Sequence, residues 1–180
     1  MDQLFTYYYK DGMKHREDGP AVESIWGDKY WWFEGKLHRE DGPAIIFNNT
    51  REEWWYRGKK HRKDGPAIIN FNRSTEWYYD GVLHRDYGPA IESGNINMWY
   101  SYGKLHRWNG PAIEYILESS MNAWYLFGKM YEKRRYYKVR NIIYKFISRL
   151  KRRLRQRLLD ILMEVGVSNT IARCLCEFMY

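Results

Sequence analysis

The sequence predicts a mainly β protein: an elongated antiparallel β-hairpin (repeat) solenoid followed by a basic α-helical hairpin. Three observations carry this. A unit of about 23 residues recurs five times, aromatic residues make up 18 % of the chain, and the positive charge is concentrated beyond the repeats. At 180 residues with 44 % hydrophobic content the chain is long enough to bury a core and too apolar to be disordered. No run of about 18 apolar residues exists, so no transmembrane segment is expected. The opening residues MDQLFTYYYK lack a basic stretch followed by an apolar one, which argues against a secretory signal. The two cysteines, Cys174 and Cys176, are too few for a disulfide framework. An intracellular, reducing compartment is the expectation.

The repeat is read from its fixed points. His15, His38, His61, His84 and His106 are spaced by 23, 23, 23 and 22 residues. Five residues after each stands a proline in a Gly-Pro-Ala step: Pro20, Pro43, Pro66, Pro89 and Pro111. Three residues before each histidine is a glycine, and seven before it Trp31, Trp54, Trp77 or Trp99, with Tyr8 in the first copy. The unit is W-[WY]-x-x-G-x-x-H-R-x-x-G-P-A. A sixth, degenerate copy begins at Trp124, has Tyr131 in place of histidine and lacks Gly-Pro-Ala, as the last member of a stack does. Residues 1–132 therefore form about five and a half repeats, and 133–180 form a separate tail.

Within a copy, Glu53–Tyr56 reads as a short aromatic strand and Arg57-Gly58 as a tight turn in which glycine supplies positive φ. The chain returns through Lys60-His61-Arg62. Asp64 with Gly65-Pro66, like Asp41 with Gly42-Pro43, should bend it, because proline has no N–H to give a ladder. Ala67-Ile68-Ile69 continues as a strand, and Asn70–Ser74 turns into the next copy. Stacked in a single meander, Trp31, Trp54, Trp77, Trp99 and Trp124 are expected to form a buried aromatic spine, with the small alanine allowing close approach.

These residues resemble the MORN repeat, a hairpin of similar length with an aromatic, a glycine turn and a later glycine. More closely, His15–Ala21 and His38–Ala44 both read H-R-E-D-G-P-A, which is similar to a variant found in multicopy proteins of large DNA viruses of amoebae, the marseillevirus type included. The copy at His61 has Lys63 for Glu, and those at His84 and His106 lose the Asp before Gly. The resemblance covers roughly residues 7–128. It implies scaffolding and contact with other proteins or membranes, here as a virion- or capsid-associated component, and implies no reaction.

The residues themselves point the same way. Equivalent histidines should lie about 9–10 Å apart, two strand spacings, whereas zinc needs ligands at about 2 Å. A structural histidine ladder bonded to backbone or to the nearby acid is expected, with no metal or cofactor. Arg and Asp of H-R-x-D can pair within or between copies. Every candidate group occurs five times, whereas an active site needs one singular constellation, so no enzyme is expected. Exposed aromatics with cations would suit single-stranded nucleic acid, but the slightly acidic repeat region opposes phosphate.

Residues 1–127 carry 16 Lys and Arg against 18 Asp and Glu, a net of −2; residues 128–180 carry 14 against 4, a net of +10. Twelve cations and no acid fall between Lys133 and Arg157. Val139, Ile142, Phe146, Leu150, Leu154, Leu158, Ile161 and Val165 recur at helical spacing. Gly166 should end that helix, and Thr170–Tyr180 should fold back as a second one, with the two cysteines on different faces. The candidate partner-binding cations are Lys133, Arg134, Arg135, Arg149, Lys151, Arg152, Arg153, Arg155 and Arg157. A basic amphipathic helix suits nucleic acid, an anionic membrane or an acidic protein groove, or it caps the open end of the repeats.

Overall fold

The structure is a computed structural model and describes residues 4–48 and 50–164. It is mainly β, with a long antiparallel sheet and one C-terminal helix. The chain divides into two units, the first ending at Lys133.

Each aromatic segment that reads as one strand is two. The repeated Trp interrupts it: Arg51–Glu53 precedes Trp54 and Trp55–Tyr56 follows it. The first half of every copy joins one ten-stranded sheet. Its strands, in spatial and chain order, begin Phe5–Tyr7, Val22–Ser24, Lys29–Tyr30, Ile45–Phe47 and Arg51–Glu53. They continue Ile68–Asn70, Ser74–Glu76, Ile91–Glu92, Ile96–Met98 and Ile113–Tyr115. The second half forms its own two-stranded hairpin, for example Trp32–Phe33 with Lys36–Leu37 and Trp55–Tyr56 with Lys59–Lys60. Six such hairpins follow one another, so the expected single meander is a sheet plus a file of hairpins.

The hairpin turns explain the glycine. Asp11, Glu34, Arg57, Asp80, Tyr102 and Phe127 all have φ between 45° and 51°, and the glycine after each has φ between 71° and 87°. Two consecutive left-handed residues make the turn whose twist matches paired strands, and the second position is where glycine costs least. The hairpins are tied together by backbone: Gly58 N–H donates to Leu37 C=O at 2.8 Å, and Gly35, Gly81, Gly103 and Gly128 repeat the bond to the preceding hairpin.

The core differs from expectation. Trp31, Trp54, Trp77, Trp99 and Trp124 are only half-buried. Within the repeats the positions with no exposed surface are Ala21, Ala44, Ala67, Ala90 and Ala112, each 0 % exposed. Each alanine carbonyl accepts the N–H of the repeated aromatic, from Tyr8 to Trp99, at 2.7–2.8 Å. The alanine has no exposed surface, whereas the ring of the aromatic bonded to it keeps part of its face open. Beside the alanines, one row of cross-strand partners runs along the sheet: Val22, Tyr30, Ile45, Glu53, Ile68, Glu76, Ile91, Met98 and Ile113. The β-branched members suit a pleated, covered face. Glu53 is buried in this row because Arg51 lies at 2.6 Å and the Trp55 indole N–H donates to it at 2.9 Å. Burial, then Glu76, pushes the Tyr78 hydroxyl up to about 12.

The helix spans Lys133–Glu164. The second helix expected over Thr170–Tyr180, with Cys174 and Cys176, lies outside the described residues. Among the described residues no helix is long and apolar enough to cross a membrane.

Substituting Ala67→Leu should overpack this junction and cost about 1–3 kcal/mol. Chemical denaturation checks it; an unchanged midpoint would mean the alanine row is not the tight core described.

Candidate functional site

Alternation places Trp and the residue two after it on one face of each copy, opposite the row that contains Glu53. On that face the Arg of H-R-x-x-G-P lies over the Trp ring of its own copy. The guanidinium carbon is 4.2 Å from the ring centre for Arg39 on Trp31, 3.9 Å for Arg62 on Trp54 and Arg85 on Trp77, and 3.6 Å for Arg107 on Trp99. Arg16 sits at 4.1 Å over Tyr8. The same five arginines donate to the proline carbonyl four residues on, at 3.0–3.3 Å. Gly65 is where it is because of this: a Cβ there would meet the Arg62 guanidinium at 2.8 Å, and Gly42 repeats the approach to Arg39 at 3.0 Å. In the two full H-R-E-D copies the Asp completes the clamp within its own repeat, Arg16 to Asp18 and Arg39 to Asp41 at 2.8 Å. Both carboxyls are held below the usual range by that hydrogen bond.

The histidines join copies. The Nδ1 of His15, His38, His61, His84 and His106 accepts the backbone N–H of Glu34, Arg57, Asp80, Tyr102 and Phe127, at 3.1–3.3 Å. Those five residues are the first left-handed residues of the following hairpin turns, so each imidazole fixes its neighbour's turn. With Nδ1 accepting, Nε2 carries the proton. His15 Nε2 donates to Glu17 at 3.3 Å, and Asp86 lies 3.2 Å from His84 Nε2. That bond, with Lys10 beside it, holds Glu17 below its ordinary value. Both ring nitrogens of these histidines are thus used structurally. Among the described residues no cluster of three or more His, Cys, Asp or Glu could hold a metal ion.

An aromatic side chain covers each histidine, which the sequence reading missed. Phe33 packs on His15, Tyr56 on His38, Tyr79 on His61, Tyr102 on His84 and Phe127 on His106, with ring centres 4.0–5.0 Å apart. Phe33, Tyr56 and Tyr79 also reach the histidine of their own copy at 6.0–6.3 Å, giving an unbroken run of rings from His15 to Tyr102. The signal was present but out of register. The aromatic stands two residues after Trp in three copies and three after it in the last two, where Tyr102 and Phe127 occupy the turn itself. A strict column comparison hides it.

Between successive H-R-x-x-G-P loops the face dips into shallow grooves. Three equivalent ones have Trp31 with Phe33, Trp54 with Tyr56 and Trp77 with Tyr79, walled by the loops on either side. The exposed rim is acidic at first (Glu17, Asp18, Glu40, Asp41) and loses charge to Tyr87, Trp108 and Asn109 in later copies.

On the helix, all nine candidate cations, Lys133, Arg134, Arg135, Arg149, Lys151, Arg152, Arg153, Arg155 and Arg157, are exposed. The apolar stripe is exposed too at Ile142, Phe146, Leu150, Leu154 and Ile161. No family model matches the chain, and neither does any curated protein or solved structure.

Acid should loosen the His106 junction, because a protonated imidazole cannot accept the Phe127 amide. Burial lowers the His106 pKa. An unfolded histidine takes up a proton near 6.5, so the stability held by neutral His106 is full above that pH and is lost as pH falls from 6.5 to the lowered value. Thermal melts between pH 7.5 and 5 should show a falling midpoint. His106→Ala should flatten that fall and cost about 1 kcal/mol or more at pH 7.5. A midpoint independent of pH would contradict the junction chemistry.

Proposed function

We propose that the chain is a non-enzymatic protein-interaction scaffold, with residues 1–132 a MORN-like β-hairpin solenoid. One observation carries this reading: the grooved face presents the same module copy after copy. In each, the Arg and His are consumed by structural contacts while an aromatic ring is left exposed on top of the histidine. Such a face offers repeated contact area and no singular set of reactive groups. The H-R-E-D-G-P-A resemblance supports a viral setting, a virion- or capsid-associated assembly component, inside a reducing compartment.

A second reading is favoured by the helix. Exposed cations flank an exposed apolar stripe, the pattern of an element that binds nucleic acid or an anionic membrane.

Cross-linking and mass spectrometry of the native full-length complex separate the two. Tyr56→Ala with Tyr79→Ala should remove protein partners while leaving the melting transition in place. Replacing Lys151, Arg152, Arg153, Arg155 and Arg157 with Gln, a good helix former, should leave those partners and abolish any polyanion binding. Each lost phosphate contact should reduce the salt slope on duplex DNA by about 0.9. Near an anionic membrane each lost cation is worth about 1 kcal/mol. If partners follow the five-Gln variant and ignore the tyrosines, the function belongs to the helix.

A further inference from the structure

The scaffold reading leaves the chemistry of the partner open, and the grooves narrow it. Their floor and one wall are aromatic: Trp31 with Phe33, Trp54 with Tyr56, Trp77 with Tyr79. The upper rings are 40 %, 42 % and 49 % exposed, so each groove is open to a ligand along its length. Each copy contributes two strands to the ten-stranded sheet, which sets the groove-to-groove step at about 9–10 Å. Direct ring contacts agree with a step of that order. Phe33 to His38 is 6.0 Å and His38 to Tyr56 4.9 Å, and Tyr56 to His61 is 6.3 Å and His61 to Tyr79 5.0 Å.

That step selects among extended ligands. A β-strand presents same-face side chains every ~6.6–6.8 Å, which falls out of phase after one groove. A stacked single strand of nucleic acid has a shorter repeat still, and its phosphates would meet the acidic rim. A polyproline II helix has three residues per turn at about 3.1 Å each, so every third side chain recurs at about 9.3 Å. Its prolines would enter successive grooves on one face. Its carbonyls, which make no internal hydrogen bonds, would be offered to groups such as the Tyr56 and Tyr79 hydroxyls. The preformed helix also loses little entropy on binding.

Charge fixes the rest of the ligand. The loops of the first two copies expose Glu17, Asp18, Glu40 and Asp41 beside the grooves; Asp18 and Asp41 pair with Arg16 and Arg39 at 2.8 Å, which leaves one net negative charge on each loop, and Lys63 reverses the sign on the third. The geometry points to a proline-rich segment in the polyproline II conformation, with proline at every third position and Lys or Arg facing the loops of the first two copies, as the ligand of this face. The inference rests on the scaffold reading and names its partner class.

The test uses the full chain and a synthetic peptide of four Pro-Pro-Arg triplets, followed by tryptophan fluorescence and calorimetry. The peptide should saturate, and four Gly-Gly-Arg triplets of equal charge should bind at least about tenfold more weakly. Tyr56→Ala with Tyr79→Ala should weaken the proline peptide by about tenfold or more, whereas Leu117→Ala, exposed but outside the grooves, should not. Equal binding of the glycine peptide would reduce the effect to charge and overturn the inference. So would proline-peptide binding that ignores the tyrosines. If the proline peptide does not bind while native partners still require Tyr56 and Tyr79, this inference falls and the scaffold reading stands.

Discussion

The Arg guanidinium held between the Trp ring and the Gly-Pro loop is the contact on which each copy depends. It explains four of the repeated residues together. Trp supplies the face, Arg the cation, Gly the room that a Cβ would take from the guanidinium, and Pro a carbonyl presented to it. A stacked, partly desolvated Arg–Trp pair is worth about 0.5–2 kcal/mol, and the planar fork lets the same group stack and donate at once. A lysine ammonium, with no planar fork, could not stack on the ring and donate to the carbonyl at once. The first copy tolerates Tyr8 for Trp because a phenol ring presents the same negative face.

If the arginine organises a copy, the histidine organises the succession. Its ring accepts from one turn amide, leans on an exposed aromatic, and at His15 and His84 faces an acid of its own loop. The degenerate sixth copy follows from this division of labour. It keeps the residues that receive the fifth copy: Gly128 N–H bonds to Leu105, Phe127 N–H to His106, and Tyr125 accepts from the Arg107 amide at 3.4 Å. It lacks the His that would act on a further hairpin, and also the Arg and Gly-Pro-Ala that clamp a copy's own Trp.

The drift along the face has a functional sense as well. Structural contacts are kept in all five copies, while the exposed loop positions change from Glu-Asp to Lys-Asp, Asp-Tyr and Trp-Asn. Seven of the consensus positions, Trp, the turn Gly, His, Arg, Gly, Pro and Ala, answer to geometry that recurs from copy to copy, so their identity is constrained. The loop tips make fewer of these shared contacts. On the proposed scaffold reading, a rim that is acidic at one end and aromatic at the other would orient an asymmetric partner on an otherwise repetitive surface.

The sequence by itself determined the repeat and its period, the tight turns at the hairpin tips, the bend at Gly-Pro, and a helix beginning close to Lys133. All of these are local. Positive φ, a missing N–H and a run of periodic apolar residues act within a few positions of where they are written. Spacing also sets the histidines too far apart to share an ion. What only the tertiary structure decided is which ring is buried and which is shown. Trp54 looks like a core residue by composition, yet it is only half-buried while Ala67, whose carbonyl accepts the Trp54 N–H, is fully buried. Tyr56 and Tyr102 look unrelated in aligned copies, yet both cover a histidine, because the strand end and the turn that follows it present side chains to the same spot. Such equivalence exists only in space, between chain segments about twenty residues apart, and no local rule carries it.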